Sequence, residues 1–458
     1  MKNNNHLKNL NEQKLKEKSL KISIKEGSAA SVMGGAGDTY ITPYALALNA
    51  TNAQIGFLSS FVGLFGAISQ IIGSRVIYKF NRKKIVLLAV FLQAAMWMIM
   101  FALGLLVWAE IIASYTAIIL IVIYTICIIC GSFGGPAWFS WMGDLVPEEK
   151  RGAYFSKRSR ITGAISMLVT LIVAFFLDYT KVIGLVLIGF AGISLVSAIG
   201  RFISLYFLTK QYEPKYEEKK ESYFSFIQFL KKAPYNNFGK FVFYVGLITL
   251  ATNFAGPFFT VYMLKELHYT YTWFMIVSLA GTLFLILSLP FWGKVGDKYG
   301  NKTLLKIGGI IITFVQIPWL FSGNPIYLIF TTQLISGIGW AAFNLGASNY
   351  IYDAVTPQRR AICVAYYTMI NGICVFVGAF SGGLFAQYIH INFMDTLLLI
   401  FLISSILRGI TSIIFLPMIK EVRKNLKEER TLDVLKNSNS LMHHPFHFMF
   451  KSIVGKSK

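Results

Sequence analysis

The sequence predicts an all-α membrane protein with twelve transmembrane helices, arranged as two halves of six helices each. Of its 458 residues, 55% are hydrophobic and only 14% are charged, whereas soluble domains carry about 25% charged residues. Uncharged apolar runs long enough to cross a bilayer recur along the whole chain. Short motifs also return after about 210 residues, which indicates a duplicated unit.

The apolar runs define the individual spans. Residues 28–74 contain one charged side chain, Asp38, and residues 307–352 contain none. Each run is too long for one crossing and has a polar break near its middle, so we interpret each as two spans. The predicted spans are 28–48, 53–76, 84–109, 112–142, 157–178, 182–209, 237–264, 270–293, 303–322, 325–352, 360–386 and 392–418.

These spans set the predicted domain organisation. The two six-helix halves are 28–209 and 237–419, joined by a cytoplasmic linker at 210–236. Basic cytoplasmic tails, at 1–27 and 420–458, flank the halves.

The net charge of +22 is distributed unevenly across the predicted membrane. Lys and Arg concentrate in the tails and in the loops on the same side as the N-terminus, and only Lys181 and Lys265 lie on the other side. This is the positive-inside pattern. It predicts a plasma-membrane protein with both termini in the cytoplasm, and it explains the basic charge without a nucleic-acid partner.

The internal repeat is clearest in two charged loops. "DLVPEEKR" at 144–151 and "DAVTPQRR" at 353–360 both place Asp seven residues before Arg, with an offset of 209 residues. "RFISLYFL" from Arg201 and "RGITSIIFL" from Arg408 give a second match, and Pro43 and Pro257 give a third. Their common order indicates a duplicated six-helix unit.

The loop after the eighth predicted span has a recognisable motif. Its sequence "GKVGDKYGNK" follows the pattern of Gly, three residues, Asp, a basic residue, any residue and Gly. On this motif, the helix count and the repeat, the chain resembles the major facilitator superfamily, a group of secondary transporters. The matching residues are Gly293, Asp297, Lys298, Gly300 and Lys302. Asn301 stands where that family usually has Arg or Lys, and the first-half loop has Ile77 and Phe80 at the acid and second-glycine positions.

The resemblance implies that these loop residues form a cytoplasmic gate. A carboxylate such as Asp297 can accept hydrogen bonds from a helix N-terminus or pair with Arg when the cytoplasmic side closes. Asp144 with Arg151, and Asp353 with Arg360, look like analogous pairs, one in each half. The alternative is that these charges only anchor the loops at the membrane surface.

Asp38 is the predicted proton-coupling or substrate site. It lies about ten residues into the first predicted span, in the stretch "GGAGDTYITPY". A carboxyl group at the bilayer centre costs about 2.5–3.5 kcal/mol on insertion scales, so such residues usually serve a function. The alternative is an acid that is hydrogen-bonded to a neighbouring helix for structural reasons.

Arg201 and Arg408 are the predicted intramembrane basic residues, at matching places in the sixth and twelfth spans. A structural role is favoured for both, as partners of loop carboxylates or backbone carbonyls. Binding of an anionic substrate is the alternative.

The sequence therefore predicts a secondary transporter that works by alternating access, with a small-molecule substrate, protons as coupling ion, membrane lipids around it and a monomeric state. A single intramembrane acid favours a neutral, apolar or cationic solute, and export is the favoured direction. An enzyme would need more convergent groups than one carboxylate, and four cysteines within the spans are expected to be buried hydrophobes, so no cofactor or metal is predicted. A lipid or lysolipid flippase, or a non-transporting sensor or scaffold, remains an alternative.

Overall fold

The computed structural model describes residues 2–77, 79–147, 150–214, 225–389, 391–392 and 394–422. Regular secondary structure in these residues is entirely helical. The helices of the first half are α1 (Lys2–Ala36), α2 (Ile41–Ala47), α3 (Asn52–Val76), α4 (Arg82–Trp108), α5 (Thr116–Leu145), α6 (Arg151–Val182) and α7 (Val186–Thr209). The short α8 (Phe226–Lys232) follows, and the second half comprises α9 (Asn237–Ala255), α10 (Phe258–Val261), α11 (Tyr271–Tyr299), α12 (Asn301–Phe314), α13 (Pro325–Leu328), α14 (Leu334–Ala354), α15 (Pro357–Tyr388) and α16 (Thr396–Phe415).

Within the described residues, eleven helical segments are long and apolar enough to cross a membrane. The remaining predicted span, 28–48, is built from the end of α1, a 3₁₀ turn at Asp38–Tyr40 and α2. Together they form the twelve-helix architecture that the sequence predicts. The first helix begins far earlier than expected, because α1 is helical from Lys2 through most of the predicted tail.

The chain separates into two compact units. Unit 1 takes its described residues from 1–220, 256–275 and 375–389, and unit 2 takes them from 221–255, 276–374 and 390–458. Two segments of the second half thus pack with unit 1, and the predicted half boundaries stay predictions. Residues 215–224 of the predicted linker and 423–458 of the predicted C-terminal tail lie outside the described residues.

The duplication extends to individual hydrogen bonds. The indole nitrogen of Trp141 donates to the carbonyl of Tyr212 at 2.9 Å, which ties the chain leaving α7 to α5. The hydroxyl of Tyr350 donates to the carbonyl of Lys420 at 2.8 Å in the same way after α16. These residues lie 209 and 208 positions apart. The two halves are therefore comparable residue by residue.

Candidate functional site

The first transmembrane crossing breaks at Gly37, directly before Asp38. A Cβ atom at Gly37 would overlap the indole ring of Trp97 and lie 2.6 Å from the Ser197 hydroxyl. Only glycine therefore allows this backbone to pass so close to α4 and α7. Here α1 ends, and the 3₁₀ turn that follows carries Asp38.

Asp38 is partly buried in this break and has one hydrogen-bonded side-chain partner. The hydroxyl of Tyr124, on α5, donates to Oδ1 of Asp38 at 3.1 Å. Arg201, one turn along α7 from Ser197, lies within electrostatic range of the same carboxyl group. The turn thus places a protonatable group within reach of a neutral hydrogen-bond donor and of a partly buried cation.

Glu26 is a second buried acid, which the sequence analysis had placed in the basic tail. Its side chain is only 3% exposed. Oε2 accepts a hydrogen bond from Arg158 at 2.9 Å, and Oε1 accepts one from the Ser204 hydroxyl at 2.9 Å. A signal was present in the sequence, because Ser19, Ser23 and Glu26 recur at helical spacing and form one buried face of α1.

Arg201 joins this acid through Ser204. Its Nε donates to Oε1 of Gln93 at 2.8 Å, and another of its nitrogens donates to the Ser204 hydroxyl at 3.3 Å. Arg158, which donates to Glu26, lies 4.6 Å from the ring centre of Trp138. The structure therefore links Arg201, Ser204, Glu26 and Arg158 into one buried polar network in the first half.

These side chains line a cavity of about 240 Å³ in the first half. Its lining includes the charged residues Glu26, Arg158 and Arg201, and from α5 it includes Trp138 and the glycines Gly131, Gly134 and Gly135. We call this space the first-half cavity.

Arg408 does not match Arg201 in register, which corrects the sequence alignment. The matching contacts of Tyr212 and Lys420, just after these helices, give an offset of 208 residues, so Arg201 corresponds to Gly409 and Ser204 to Ser412. Arg408 is 2% exposed and donates to the carbonyl of Ile312 at 2.9 Å. Its position agrees with the structural role that the sequence favoured, a partner for a backbone carbonyl.

The end of the first half at which α4 begins and α5 ends contains the predicted gate charges, but with different partners. Asp144 pairs with Arg82 at 2.6 Å, and Arg151 instead donates to the carbonyl of Gly143 at 2.8 Å. Asp144 therefore has Arg82 as its partner in this structure in place of the expected Arg151, and the gate role of both residues stays a prediction. Arg151 starts α6 directly over the end of α5, where backbone carbonyls lack helical partners and attract a cation.

The second half repeats this arrangement with a neutral amide. Asp353 accepts a hydrogen bond from the side chain of Asn301 at 2.6 Å, and Arg360 donates to the carbonyl of Tyr352 at 3.2 Å. Asn301 and Arg82 are the first residues of α12 and α4, respectively. The predicted Asp353–Arg360 pair is thus replaced by the same two contacts as in the first half.

Two further acids at this end were missed, because they lie in the predicted linker and tail. Glu213 accepts a hydrogen bond from the backbone N–H of Lys83 at 3.1 Å, and Glu421 accepts one from that of Lys302 at 2.8 Å. Both carboxylates cap the N-terminus of a transmembrane helix, where negative charge is favourable.

The motif after the eighth span forms the turn between α11 and α12. Gly300 has φ +88°, a conformation that favours glycine. Asp297 and Lys298 lie at the end of α11, and the Lys298 ammonium is 4.9 Å from the ring centre of Tyr299. A Cβ atom at Gly293 would meet open space. The gating role of these residues stays a prediction.

The two glycines of this motif give a matched pair of variants. Gly300→Ala should lower stability by about 1–2 kcal/mol, because alanine is strained at positive φ. Gly293→Ala should keep or raise stability by up to about 1 kcal/mol, because the site is helical and open. Thermal denaturation of both purified variants checks this. Equal midpoints for the two variants would contradict the assigned turn.

On the side that the sequence predicts to be extracellular, segments of both sequence halves meet within unit 1. The carboxylate of Asp178, on α6, accepts hydrogen bonds from the backbone N–H groups of Tyr271 and Thr272 at 2.7 and 2.9 Å. The Lys265 ammonium donates to the carbonyl of Ala50 at 3.2 Å. An acid of the first half therefore caps the first turn of α11, from the second half.

Helices α3 and α15 also touch through glycine within unit 1. A Cβ atom at Gly56 would lie 2.6 Å from Cα of Gly383 and 2.6 Å from the carbonyl of Ala379. The amide of Asn52 donates to the carbonyl of Ala386 at 3.4 Å. We call this α3–α15 contact, together with the Asp178 cap on α11 and the Lys265–Ala50 hydrogen bond, the outer contact.

Comparison with known proteins identifies the architecture. The model of the Major Facilitator Superfamily matches residues 28–255 and 241–455. The chain belongs to the Major Facilitator Superfamily. This MFS protein is therefore an integral membrane transporter and not an enzyme.

Named relatives match this MFS transporter over part of its length. The riboflavin transporter RibZ of Clostridioides difficile (strain 630) is 28% identical over 113 residues, which are 24% of this chain and 25% of the relative. A multi-drug resistance efflux pump PmrA homolog of Lactococcus lactis subsp. lactis (strain IL1403) is 31% identical over 116 residues, 25% of this chain and 28% of the relative. The chain thus matches about a quarter of the length of these relatives.

A solved structure extends the likeness to most of the chain. A mutant of the nucleoside transporter NupG has a TM-score of 0.64 and 16% identity, covering 88% of this chain and 100% of that chain. At this identity the likeness shows the fold alone.

Proposed function

We propose that this MFS transporter is a proton-coupled secondary transporter that works by alternating access in the plasma membrane, with both termini cytoplasmic. The observation that carries the proposal is the break of the first crossing at Gly37, which holds Asp38. Transporter folds commonly place substrate and coupling-ion sites where transmembrane helices are interrupted. An ionisable group at such a point is a functional hypothesis by default.

Protonation of Asp38 changes two interactions at the break. The ionised carboxylate accepts the hydrogen bond from Tyr124 and attracts Arg201. The protonated acid is neutral, so its attraction to the guanidinium is lost. A proton can shift a conformational equilibrium only through such a difference between states. Asp38 is therefore suited to couple proton binding to movement of α2 relative to α1.

Alternating access also requires an outer closure that can open. The outer contact consists of backbone packing at Gly56 and Gly383, the Asp178 cap on α11 and one ammonium–carbonyl bond. Few polar interactions must break to separate it, and the facing rings of Phe57 and Phe380, 5.3 Å apart, and of Phe61 and Phe376, 6.4 Å apart, add apolar packing between α3 and α15. We infer that the outer contact is the extracellular gate in its closed state.

The first half contains more buried charge than the sequence analysis counted, and this changes the expected charge of the substrate. A neutral, apolar or cationic solute was expected because Asp38 was taken as the single buried acid. Glu26 is a second one, and Arg158 and Arg201 accompany it. Export of a neutral or cationic amphipathic compound remains the second candidate, which is supported by the similarity to a named multi-drug efflux pump over a quarter of the chain.

A ligand screen tests this function. The purified wild-type protein and Asp38→Asn would be heated with amphipathic, cationic, neutral and carboxylate compounds at two pH values. We expect a ligand whose stabilisation depends on pH in the wild type and not in Asp38→Asn. If the stabilisation by the ligand depended on pH in Asp38→Asn as well, the coupling group would be a different residue.

A further inference from the structure

We propose that the first-half cavity binds the carboxylate of a small monoanionic solute with a flat apolar body, and that Arg201 is the group that binds it. The proposal deepens the proposed function and rests on it, because it names the class of the transported solute. It is carried by the charge balance of the cavity, by its size and by a comparison with the second half.

The cavity wall carries a surplus positive charge. Glu26 is satisfied by Arg158 and Ser204, which leaves that ion pair neutral. Among the described residues, the hydrogen bonds of the Arg201 guanidinium go only to the uncharged Gln93 and Ser204. A guanidinium has five N–H donors, so further donors remain for a ligand. A carboxylate is the anion that best matches this planar group.

The second half shows that this polar wall is not required by the fold. The counterpart of Glu26 is Tyr244, as their contacts with Ser204 and Ser412 show. With the offset of 209 residues fixed by Arg151 and Arg360, the counterpart of Arg158 is Tyr367. Tyr244 and Tyr367 belong to a hydrophobic cluster in the second half. Phenols thus replace the Glu26–Arg158 ion pair there, although the buried Arg408 lies 5.9 Å from the ring centre of Trp340.

The glycines of α5 in the cavity lining also differ between the two halves. By the offset of 209 residues, Gly131 corresponds to Trp340 and Gly134 to Phe343. Trp340 and Phe343 stand edge to face, with ring centres 5.6 Å apart, in the second half. In the first half, a Cβ atom at Gly131 would lie 2.5 Å from Gln93 and one at Gly134 would lie 2.8 Å from Ala89, so α5 packs closely against α4 at both positions. The open space lies beside Gly135, where a Cβ atom would meet nothing within 4 Å and where the second half has Asn344.

The size of the cavity limits the solute. Its volume is about 240 Å³. An apolar cavity of about 150 Å³ holds benzene, and drug-sized ligands occupy pockets of about 300–1,000 Å³. A single ring with one carboxylate fits this range. Packing beside Gly135 and a charge-assisted bond to Arg201 would hold its two ends.

Binding of such an anion is linked to Asp38. Arg201 is attracted by Glu26, which also pairs with Arg158, and by Asp38. When Asp38 is ionised, it therefore competes with a bound carboxylate for Arg201. When Asp38 is protonated, that competition ends and the anion binds more tightly. Proton and anion then favour each other's binding, as the reciprocity of linked sites requires.

Benzoate is a suitable probe, and benzamide is its uncharged control. Thermal denaturation and calorimetry of the purified full-length protein in detergent would measure binding without interference from membrane permeation. We expect benzoate to stabilise the wild type and benzamide not to. Arg201→Gln should weaken benzoate binding by at least about tenfold. No stabilisation by benzoate, or equal stabilisation by benzamide, would overturn the proposal.

A second pair of variants keeps the test valid if Arg201→Gln fails to fold. A Cβ atom at Gly135 meets nothing within 4 Å, so Gly135→Leu fills the cavity without a clash at its first atom. Gly163 on α6 offers the same free space outside the cavity lining, so Gly163→Leu is the matched control. We expect Gly135→Leu to abolish benzoate binding and Gly163→Leu to keep it. Equal binding by the two variants would overturn the proposal.

The outcome separates this proposal from the proposed function. If benzoate does not bind but another solute drives proton movement through the wild type, the cavity proposal fails alone. If benzoate binds at Arg201 but drives no proton movement in reconstituted vesicles, proton coupling fails and the binding site stands.

Discussion

Asp38→Asn should reduce proton-driven solute accumulation by about 5- to 150-fold. This range corresponds to a coupling free energy of about 1–3 kcal/mol between proton and solute. Asparagine keeps the size of the side chain and can still accept the hydrogen bond from Tyr124, but it cannot bind and release a proton. Uptake into proteoliposomes with and without an imposed pH gradient measures the effect. The solute is the one found in the ligand screen.

Tyr124→Phe is the matched control for this prediction. It removes the hydrogen bond to Asp38 and leaves the carboxyl group in place. We expect it to retain proton-driven accumulation with an altered pH profile. If Tyr124→Phe abolished accumulation and Asp38→Asn did not, the coupling group would not be Asp38.

Gly56→Leu should disfavour the closed outer contact strongly and stop transport. The Cβ atom of the new side chain would lie 2.6 Å from Cα of Gly383 and 2.6 Å from the carbonyl of Ala379. Both are backbone atoms, so no change of side-chain rotamer can relieve the clash. Overpacking costs about 1–3 kcal/mol, so the closed population should fall by about 5- to 150-fold. Gly383→Leu should act in the same way from the other helix.

Labelling from outside would detect the open state. Ala53 lies against Gly383, with its Cα 3.5 Å from a Cβ atom placed there. A cysteine introduced at Ala53, after replacement of the four native cysteines, should react faster with a membrane-impermeant maleimide when Gly56→Leu is present. Gly163→Leu should leave the rate unchanged. Unchanged labelling in Gly56→Leu would contradict the assignment of the gate.

The sequence was sufficient for the architecture, because a chain that crosses a bilayer must bury its backbone in long apolar helices. Eleven spans and their order followed from uncharged runs that need no tertiary information. The break of the first crossing did not follow. It depends on the close packing of Gly37 against Trp97 and Ser197. These residues are far apart in the sequence, so local composition cannot predict the contact.

The site was only partly predictable for the same reason. Asp38 and Arg201 stand out as charges inside apolar runs, and both lie where the structure brings polar groups together. Glu26 did not stand out, because lysines precede it and mark the segment as a tail. The partner of Asp144 was also missed, because sequence spacing favoured the nearby Arg151 over Arg82, which is 62 residues away.

Proton movement in proteoliposomes tests the central claim most directly. Wild-type protein and Asp38→Asn would be reconstituted with a pH-sensitive dye trapped inside, and a gradient of the identified solute would be imposed. The account predicts a change of internal pH with the wild type and none with Asp38→Asn, although solute exchange at equilibrium continues in both. Solute transport by the wild type without any pH change, or the same pH change in Asp38→Asn, would contradict it.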